Sequence, residues 1–156
     1  MELLKLALNL ITMVAWALGI LISLFVVAKG RKMKNELGVS FKTYMILVGI
    51  TELVYIIGAA MILSAMGINT LQHLANLNFW KFYELMGRFD WPTVKIIGAL
   101  GWIGFVINRF ISFISPGYLL IAGGKRLPRY FYYSAWTEVG IETVLTALIF
   151  ISLVEG

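Results

Sequence analysis

The chain has 156 residues and a formal net charge of +5, with 60% hydrophobic and 13% charged residues. A soluble domain carries about 25% charged residues, so this composition is typical of a membrane protein and excludes an ordinary soluble domain. Cysteine is absent and histidine occurs once, as His73, which excludes disulfides, thiolate metal sites and covalent haem attachment within the chain. We expect no cofactor, no metal site and no nucleic-acid partner.

The first two apolar segments each predict a membrane-spanning helix within a single all-α domain. Residues 3–28 are almost continuously apolar. They exceed both the roughly 20 residues that cross a bilayer and the ~7–15 residues of a signal-peptide core. We therefore interpret them as a first span that is retained. Residues 44–66 predict the second span, which is interrupted near its middle by Thr51 and Glu52.

Basic residues are concentrated in the connection between these two spans. They are Lys29, Arg31, Lys32, Lys34 and Lys42, against the single acid Glu36. By the positive-inside rule, this connection is predicted to be cytoplasmic. The dense cluster from Lys29 to Lys34 also offers contacts to anionic lipid headgroups, each worth about 1 kcal/mol. Topology alone is a sufficient explanation for such residues.

Residues 71–89 predict one amphipathic helix that does not span the membrane. Apolar residues recur there at steps of four and three: Ala75, Phe79, Phe82, Met86 and Phe89. Charged residues fall away from this stripe, and Glu84 can pair with Arg88 one turn on. Such a helix lies in the outer interface or covers the mouth of a four-helix bundle. A membrane-surface brace is the simplest interpretation, and a gating lid or a docking face for a partner is the alternative.

The third span is predicted over residues 93–123, and it contains a proline. Proline removes a backbone donor and clashes with the preceding turn, so we expect a kink near Pro116. The alternative is a helix that ends near Ile114 and is followed by a short interfacial piece. Residues 131–154 predict the fourth span.

The connection between the third and fourth spans is basic as well. Lys125, Arg126 and Arg129 stand there without an acidic residue, and they are further candidates for contacts to lipid headgroups. Both basic connections are therefore predicted to be cytoplasmic, which places both termini on the other side of the membrane.

Ionisable residues lie inside three of the four predicted spans. Glu52 and Glu142 each lie about 15 Å along their helices at 1.5 Å per residue, near the middle of a ~30 Å hydrocarbon core. Arg109 lies midway along the third span if that span is continuous, and Glu138 shares a helix face with Glu142. Because hydrocarbon tolerates charge poorly, such residues mark either a functional site or a buried ion pair.

Two interpretations of these residues remain open. In the structural one, Arg109 pairs with Glu52 or Glu142, and the ion pair determines how the helices assemble. In the functional one, the carboxylates of Glu52, Glu138 and Glu142 outnumber the arginine. At least one carboxyl must then be protonated, bind a cation, or contact water or a partner chain. This second interpretation suits reversible protonation.

Function narrows to two hypotheses. No hydrolase, metalloprotease or nucleotide-binding motif is present, so an enzyme is not favoured, although Glu138 and Glu142 offer an acid and a base. The first hypothesis is a proton- or cation-conducting channel or transporter. We expect it to be a homo-oligomer, because four helices seldom enclose an aqueous path and closed symmetric assemblies are the common solution. The second is a non-catalytic structural subunit of a larger membrane complex. We favour transport, because the excess carboxylate requires an explanation.

Overall fold

The computed structural model describes residues 2–31, 39–76, 78–87 and 96–155. Over these residues the chain is helical and contains no strand. The α-helices are α1 (Glu2–Gly30), α2 (Phe41–Ala65), α3 (Thr70–Ala75), α4 (Phe79–Gly87), α5 (Ile96–Ile111), α6 (Ile114–Gly123) and α7 (Arg129–Glu155). A 3-10 turn, Gly124–Arg126, joins α6 to the segment before α7.

Four helical segments in the described part of the chain are long and apolar enough to cross a membrane. They are Glu2–Gly30, Phe41–Ala65, Ile96–Arg126 and Arg129–Ser152, the third of which comprises α5, α6 and the 3-10 turn. The all-α fold, and the presence of four helices that can span a bilayer, are thereby confirmed.

The long helices are arranged as two pairs. Helix α2 packs chiefly along α5, and α1 packs chiefly along α7. Helices α1 and α2 make little contact with each other, so space remains between the two pairs. We call the end at which α1 ends and α2 begins the basic end, and the opposite one the α4 end.

The α2–α5 pair is held by a close approach of two backbones, which we call the glycine contact. A Cβ atom added at Gly101 would lie 2.6 Å from the Cβ of Met61 and 2.8 Å from the carbonyl oxygen of Gly58. A Cβ atom at Gly58 would lie 3.0 Å from the carbonyl oxygen of Gly101. Small residues of this kind let helices pack closely in an apolar medium, where burial of apolar surface gives no driving force.

Two apolar clusters occupy the interior, one toward each end. The cluster toward the basic end consists of Val26, Val39, Phe41, Tyr44, Leu119, Leu127, Phe131 and Ala135. The cluster toward the α4 end consists of Ile62, Leu63, Trp80, Phe82, Tyr83, Phe105, Leu148 and Ile149. Most of the buried polar side chains lie between the two clusters: Thr51, Asn108, Ser112, Ser115 and Glu138.

The third membrane-spanning segment is interrupted between α5 and α6, beginning at Ser112, four residues before Pro116. Helix α5 ends at Ile111, and α6 begins at Ile114. Proline has no N–H group, so Pro116 cannot donate the helical hydrogen bond to the carbonyl oxygen of Ser112. The backbone N–H of Gly117 then donates to the carbonyl oxygen of Phe113 at 3.0 Å, which restarts the helix. Residues 93–95 of the expected span lie outside the described residues.

The single amphipathic helix expected over residues 71–89 is wrong in its continuity. The structure has two helices, α3 and α4, and each has an asparagine at its start. The Asn69 Oδ1 atom accepts hydrogen bonds from the backbone of Leu71 and Gln72 at 3.0 and 3.2 Å. The Asn78 Oδ1 atom accepts one from the backbone of Lys81 at 3.0 Å. Asparagine favours such caps, and the second cap starts a new helix within the expected one.

The face that α4 buries agrees only in part with the expected stripe. Phe82 of the stripe is buried as expected and packs against Phe105 of α5, but Ala75 is exposed, and Trp80 and Tyr83, which lie outside the stripe, are buried as well. Glu84 pairs with Lys5 Nζ of α1 at 2.6 Å. The expected partner Arg88 and the stripe residue Phe89 lie outside the described residues. Helix α4 therefore covers one end of the helix pairs and does not lie apart from them.

Candidate functional site

A charged network joins three helices near the middle of the molecule. The Nη1 atom of Arg109, in the last turn of α5, lies 3.2 Å from Oε2 of Glu142 on α7. The Arg109 Nε and Nη2 atoms both donate to Oδ1 of Asn108. The Nδ2 atom of Asn108 donates to the backbone carbonyl of Thr51 on α2 at 2.8 Å. The ion pair expected from the sequence thus forms with Glu142, and Asn108 extends it to α2.

Asn108 was not predicted to take part in this network. Adjacent residues on an ideal helix project about 100° apart, so the sequence alone gives no reason to place the side chains of Asn108 and Arg109 in contact. The side chain of Arg109 reaches back across that angle, and its guanidinium carbon lies 5.9 Å from the ring centre of Phe105. The long, flexible side chain of Arg109 therefore reaches Asn108 although the two residues project in different directions from the helix. An amide directly beside an intramembrane arginine was the signal that pointed to it.

Glu138 lies in a second polar group, one turn along α7 from Glu142. It is only 6% exposed. Its Oε1 atom accepts hydrogen bonds from the Tyr44 hydroxyl at 2.6 Å and from the Ser23 hydroxyl at 3.2 Å. Its Oε2 atom is buried and has no hydrogen-bond partner among the described residues. Glu138 therefore has two neutral donors on one oxygen and no counter-ion in its own group.

Neither donor to Glu138 was predicted as a site residue. Tyr44 stands at the start of the second predicted span, where a tyrosine is also typical of a membrane interface, so nothing separated the two roles. Ser23 lies on the face of α1 that also bears Thr12, Trp16 and Gly19. That small polar stripe was the available signal.

Glu52 takes a third position, at the edge of the space between the helix pairs. It is exposed, and within the described ranges no hydrogen bond or ion pair involves it. Arg109 therefore pairs with Glu142 and leaves Glu52 outside the ion pair.

The three carboxylates line one polar cavity between the α1–α7 and α2–α5 pairs. Its volume is about 50 Å³, which is large enough for a small number of water molecules. The polar side chains that line it are Ser23, Thr51, Glu52, Ser112, Ser115, Glu138 and Glu142. The two apolar clusters lie beyond it toward either end. The polar cavity therefore offers carboxyl oxygens to water or a small cation at a position between two apolar clusters.

The basic residues lie well away from the polar cavity. In the two connections predicted to be cytoplasmic, the basic residues that the structure describes are exposed at the basic end: Lys29, Arg31, Lys42, Lys125, Arg126 and Arg129. Lys32 and Lys34 lie outside the described residues. The separation leaves Arg109 as the cation that contacts the carboxylates of the cavity within the described ranges.

Comparisons of this chain with protein-family models, with curated proteins and with solved structures find no match. The fold and the site by themselves define a small helical protein that has four helices able to cross a membrane. In its interior, a carboxylate-lined cavity lies beside Arg109.

Proposed function

We propose that this protein is an integral membrane transporter that moves protons or small cations by way of Glu138 in the polar cavity. The basic end faces the cytoplasm, in keeping with the positive-inside rule. The four long helices form a bundle across the bilayer, and α3 and α4 cover its opposite face. The start of α1 and the end of α7 then lie on the non-cytoplasmic side.

The proposal rests on the environment of Glu138. A buried polar atom without a partner is rare and requires an explanation, and Glu138 Oε2 is such an atom beside a water-sized cavity. An ionised carboxylate without a counter-ion is costly in hydrocarbon. A proton or a cation at Oε2 removes that cost, while Tyr44 and Ser23 hold the other oxygen in place.

The position of the polar cavity favours a carrier over an open pore. Apolar side chains occupy the interior toward both ends, so an ion at Glu138 is enclosed in this arrangement. Movement of the α1–α7 pair relative to the α2–α5 pair would open the space between them. We propose a homo-oligomer, since four helices seldom enclose an aqueous path and oligomers are most often closed, symmetric assemblies of identical subunits.

The test is flux through purified protein in liposomes. A potassium gradient with valinomycin drives proton entry, which an internal pH-sensitive dye reports, and sodium and potassium fluxes are measured in parallel. Wild-type protein should exceed protein-free liposomes for at least one of these ions. Glu138→Gln keeps the size and the hydrogen-bond acceptor but cannot release a proton, so flux should fall at least about tenfold.

Glu84→Gln is the matched control. It makes the same chemical change at a carboxylate that pairs with Lys5 outside the polar cavity, and an exposed pair of this kind contributes about 0–1 kcal/mol. Its flux should equal that of the wild type. Equal flux in Glu138→Gln and wild type, or wild-type flux no greater than that of empty liposomes for all three ions, would contradict transport.

A second candidate, a structural subunit of a larger membrane complex, is favoured by the outer surface of the α1–α7 pair. A wide apolar groove runs there, lined by residues that include Leu10, Val14, Leu18, Gly140 and Val144. A transmembrane helix of a partner fits such a groove. If neither the wild type nor Glu138→Gln shows flux, but a partner protein copurifies with the gently solubilised wild type, the subunit role replaces the transport role.

A further inference from the structure

A second cavity, which we call the aromatic pocket, lies under α3 and α4. Its volume is about 230 Å³. Its lining includes Trp16, Tyr55, Ala59, His73, Phe79 and Phe82. The walls are almost wholly apolar, and the pocket is distinct from the polar cavity, with which it shares Trp16.

Aromatic rings shape most of this pocket. The Trp16 ring lies 5.8 Å from the Phe79 ring, with an interplanar angle of 24°, and 5.1 Å from the Tyr55 ring. Rings at these distances pack in favourable offset or tilted arrangements. Pockets for whole drug-sized ligands occupy about 300–1,000 Å³, so the aromatic pocket suits a single ring or a short chain.

One histidine supplies a polar group to the wall. Its ring packs edge-on against Phe82, with centroids 6.2 Å apart, and the His73 Nε2 atom is buried without a hydrogen-bond partner among the described residues. Burial and the positive charge of Lys81 lower the pKa of His73, which favours the neutral imidazole. A neutral imidazole offers one donor and one acceptor, which selects an uncharged partner.

The aromatic pocket is accessible from the outer surface of the helices. Ile56, which lines it, is 56% exposed. On a membrane-spanning helix that surface faces lipid, so a molecule dissolved in the bilayer reaches the pocket without crossing water.

We infer that the aromatic pocket binds a neutral membrane amphiphile, with a hydroxyl or carbonyl group at His73 and an apolar ring or short chain between Trp16 and Phe82. Such a ligand supplies the hydrogen-bond partner that Nε2 lacks. The inference stands apart from the proposed transport, since none of its determinants is a carboxylate of the polar cavity.

The test uses two probes that differ in one hydroxyl group, 4-bromophenol and bromobenzene. Bromine quenches the fluorescence of a nearby indole, and Trp16 lines the pocket. Titration of the full-length protein in detergent should give saturable quenching that Trp16→Phe removes. The phenol should bind at least about fivefold more tightly, as one net hydrogen bond implies.

Two variants separate the polar contact from the volume. His73→Phe keeps a ring against Phe82 but removes Nε2, so the two probes should bind equally. Ala59→Leu fills the pocket and should weaken both, while helix content by circular dichroism stays at the wild-type value. Linear, unsaturable quenching that Ala59→Leu leaves unchanged would show mere partitioning and would overturn the inference. A phenol preference that persists in His73→Phe would overturn it as well.

Discussion

The two inter-helix spaces that involve α2 are built on opposite principles. On its α5 side, Gly58 and Gly101 bring two backbones into direct contact, and packing leaves no room even for a methyl group. On the side facing the α1–α7 pair, polar and charged side chains border a cavity of about 50 Å³. The dispersion contacts at the glycine contact do not depend on the charge of nearby groups. The stability of the polar cavity does, because its three carboxylates have few hydrogen-bond donors and one cation, Arg109, among the described residues. Helix α2 therefore has one face whose packing is fixed by backbone contact and another face whose packing depends on charge.

The largest effect should come from Arg109→Met. This change leaves Glu142 without its cation, and the two side chains are only 15% and 22% exposed. Removing one partner costs somewhat more in a fully buried pair than in a partly buried one, so we expect a loss of about 3 kcal/mol. Unfolding by sodium dodecyl sulfate in mixed micelles, followed by circular dichroism, measures the loss. The double change Arg109→Met with Glu142→Leu should regain most of the stability, because two apolar side chains of similar size replace the pair.

The double change also tests whether Arg109 stabilises the protein through its ion pair with Glu142 or through its hydrogen bonds to Asn108. If it is no more stable than Arg109→Met alone, the arginine acts through Asn108 and Thr51 and not through Glu142, and charge balance is not what holds α5 to α7. The packing around the polar cavity would then depend as little on charge as the packing at the glycine contact does.

Gly101→Ala should have the second largest effect. The added methyl group would meet Met61 Cβ at 2.6 Å and the Gly58 carbonyl oxygen at 2.8 Å, so α2 and α5 must separate, at a cost of about 1–3 kcal/mol. Gly104→Ala is the control on the same helix, since its methyl group would lie 4.0 Å from the nearest atom, Gly58 Cα. The same unfolding assay compares them. Equal losses in both variants would mean that helix propensity, and not close approach, governs this contact.

Some of this architecture was accessible from the sequence because hydrocarbon imposes simple rules. Apolar length alone predicts helices that can cross a bilayer. An ionisable residue within such a length stands out, which is why Glu52, Arg109, Glu138 and Glu142 were named as candidates. Their partners could not be assigned, since a count of residues gives depth along a helix but not rotation about it. The choice of Glu142 over Glu52 by Arg109 depends on that rotation.

The region around α3 and α4 shows where periodicity fails. A stripe at steps of three and four cannot distinguish one helix from two short helices in similar register. Asn69 and Asn78 held the needed information, since each caps the helix that follows it. Their local signal competes with the apolar stripe, and the cap decided the structure. When helix caps take priority over periodicity, the segment divides at Asn78, where α4 is capped.

The smallest effect should come from Tyr44→Phe, which probes the polar cavity without altering charge. The hydroxyl donates to Glu138 Oε1 at 2.6 Å, and its loss should cost about 1 kcal/mol. Tyr133→Phe, at a side chain that is 64% exposed, is the control and should be neutral in the same unfolding assay. Because Ser23 remains as a donor, Glu138 keeps its position, so the flux of Tyr44→Phe should change far less than that of Glu138→Gln. If the flux of Tyr44→Phe instead falls as far as that of Glu138→Gln, the tyrosine hydroxyl is itself part of the proton path. That path would then extend from the polar cavity into the apolar cluster toward the basic end.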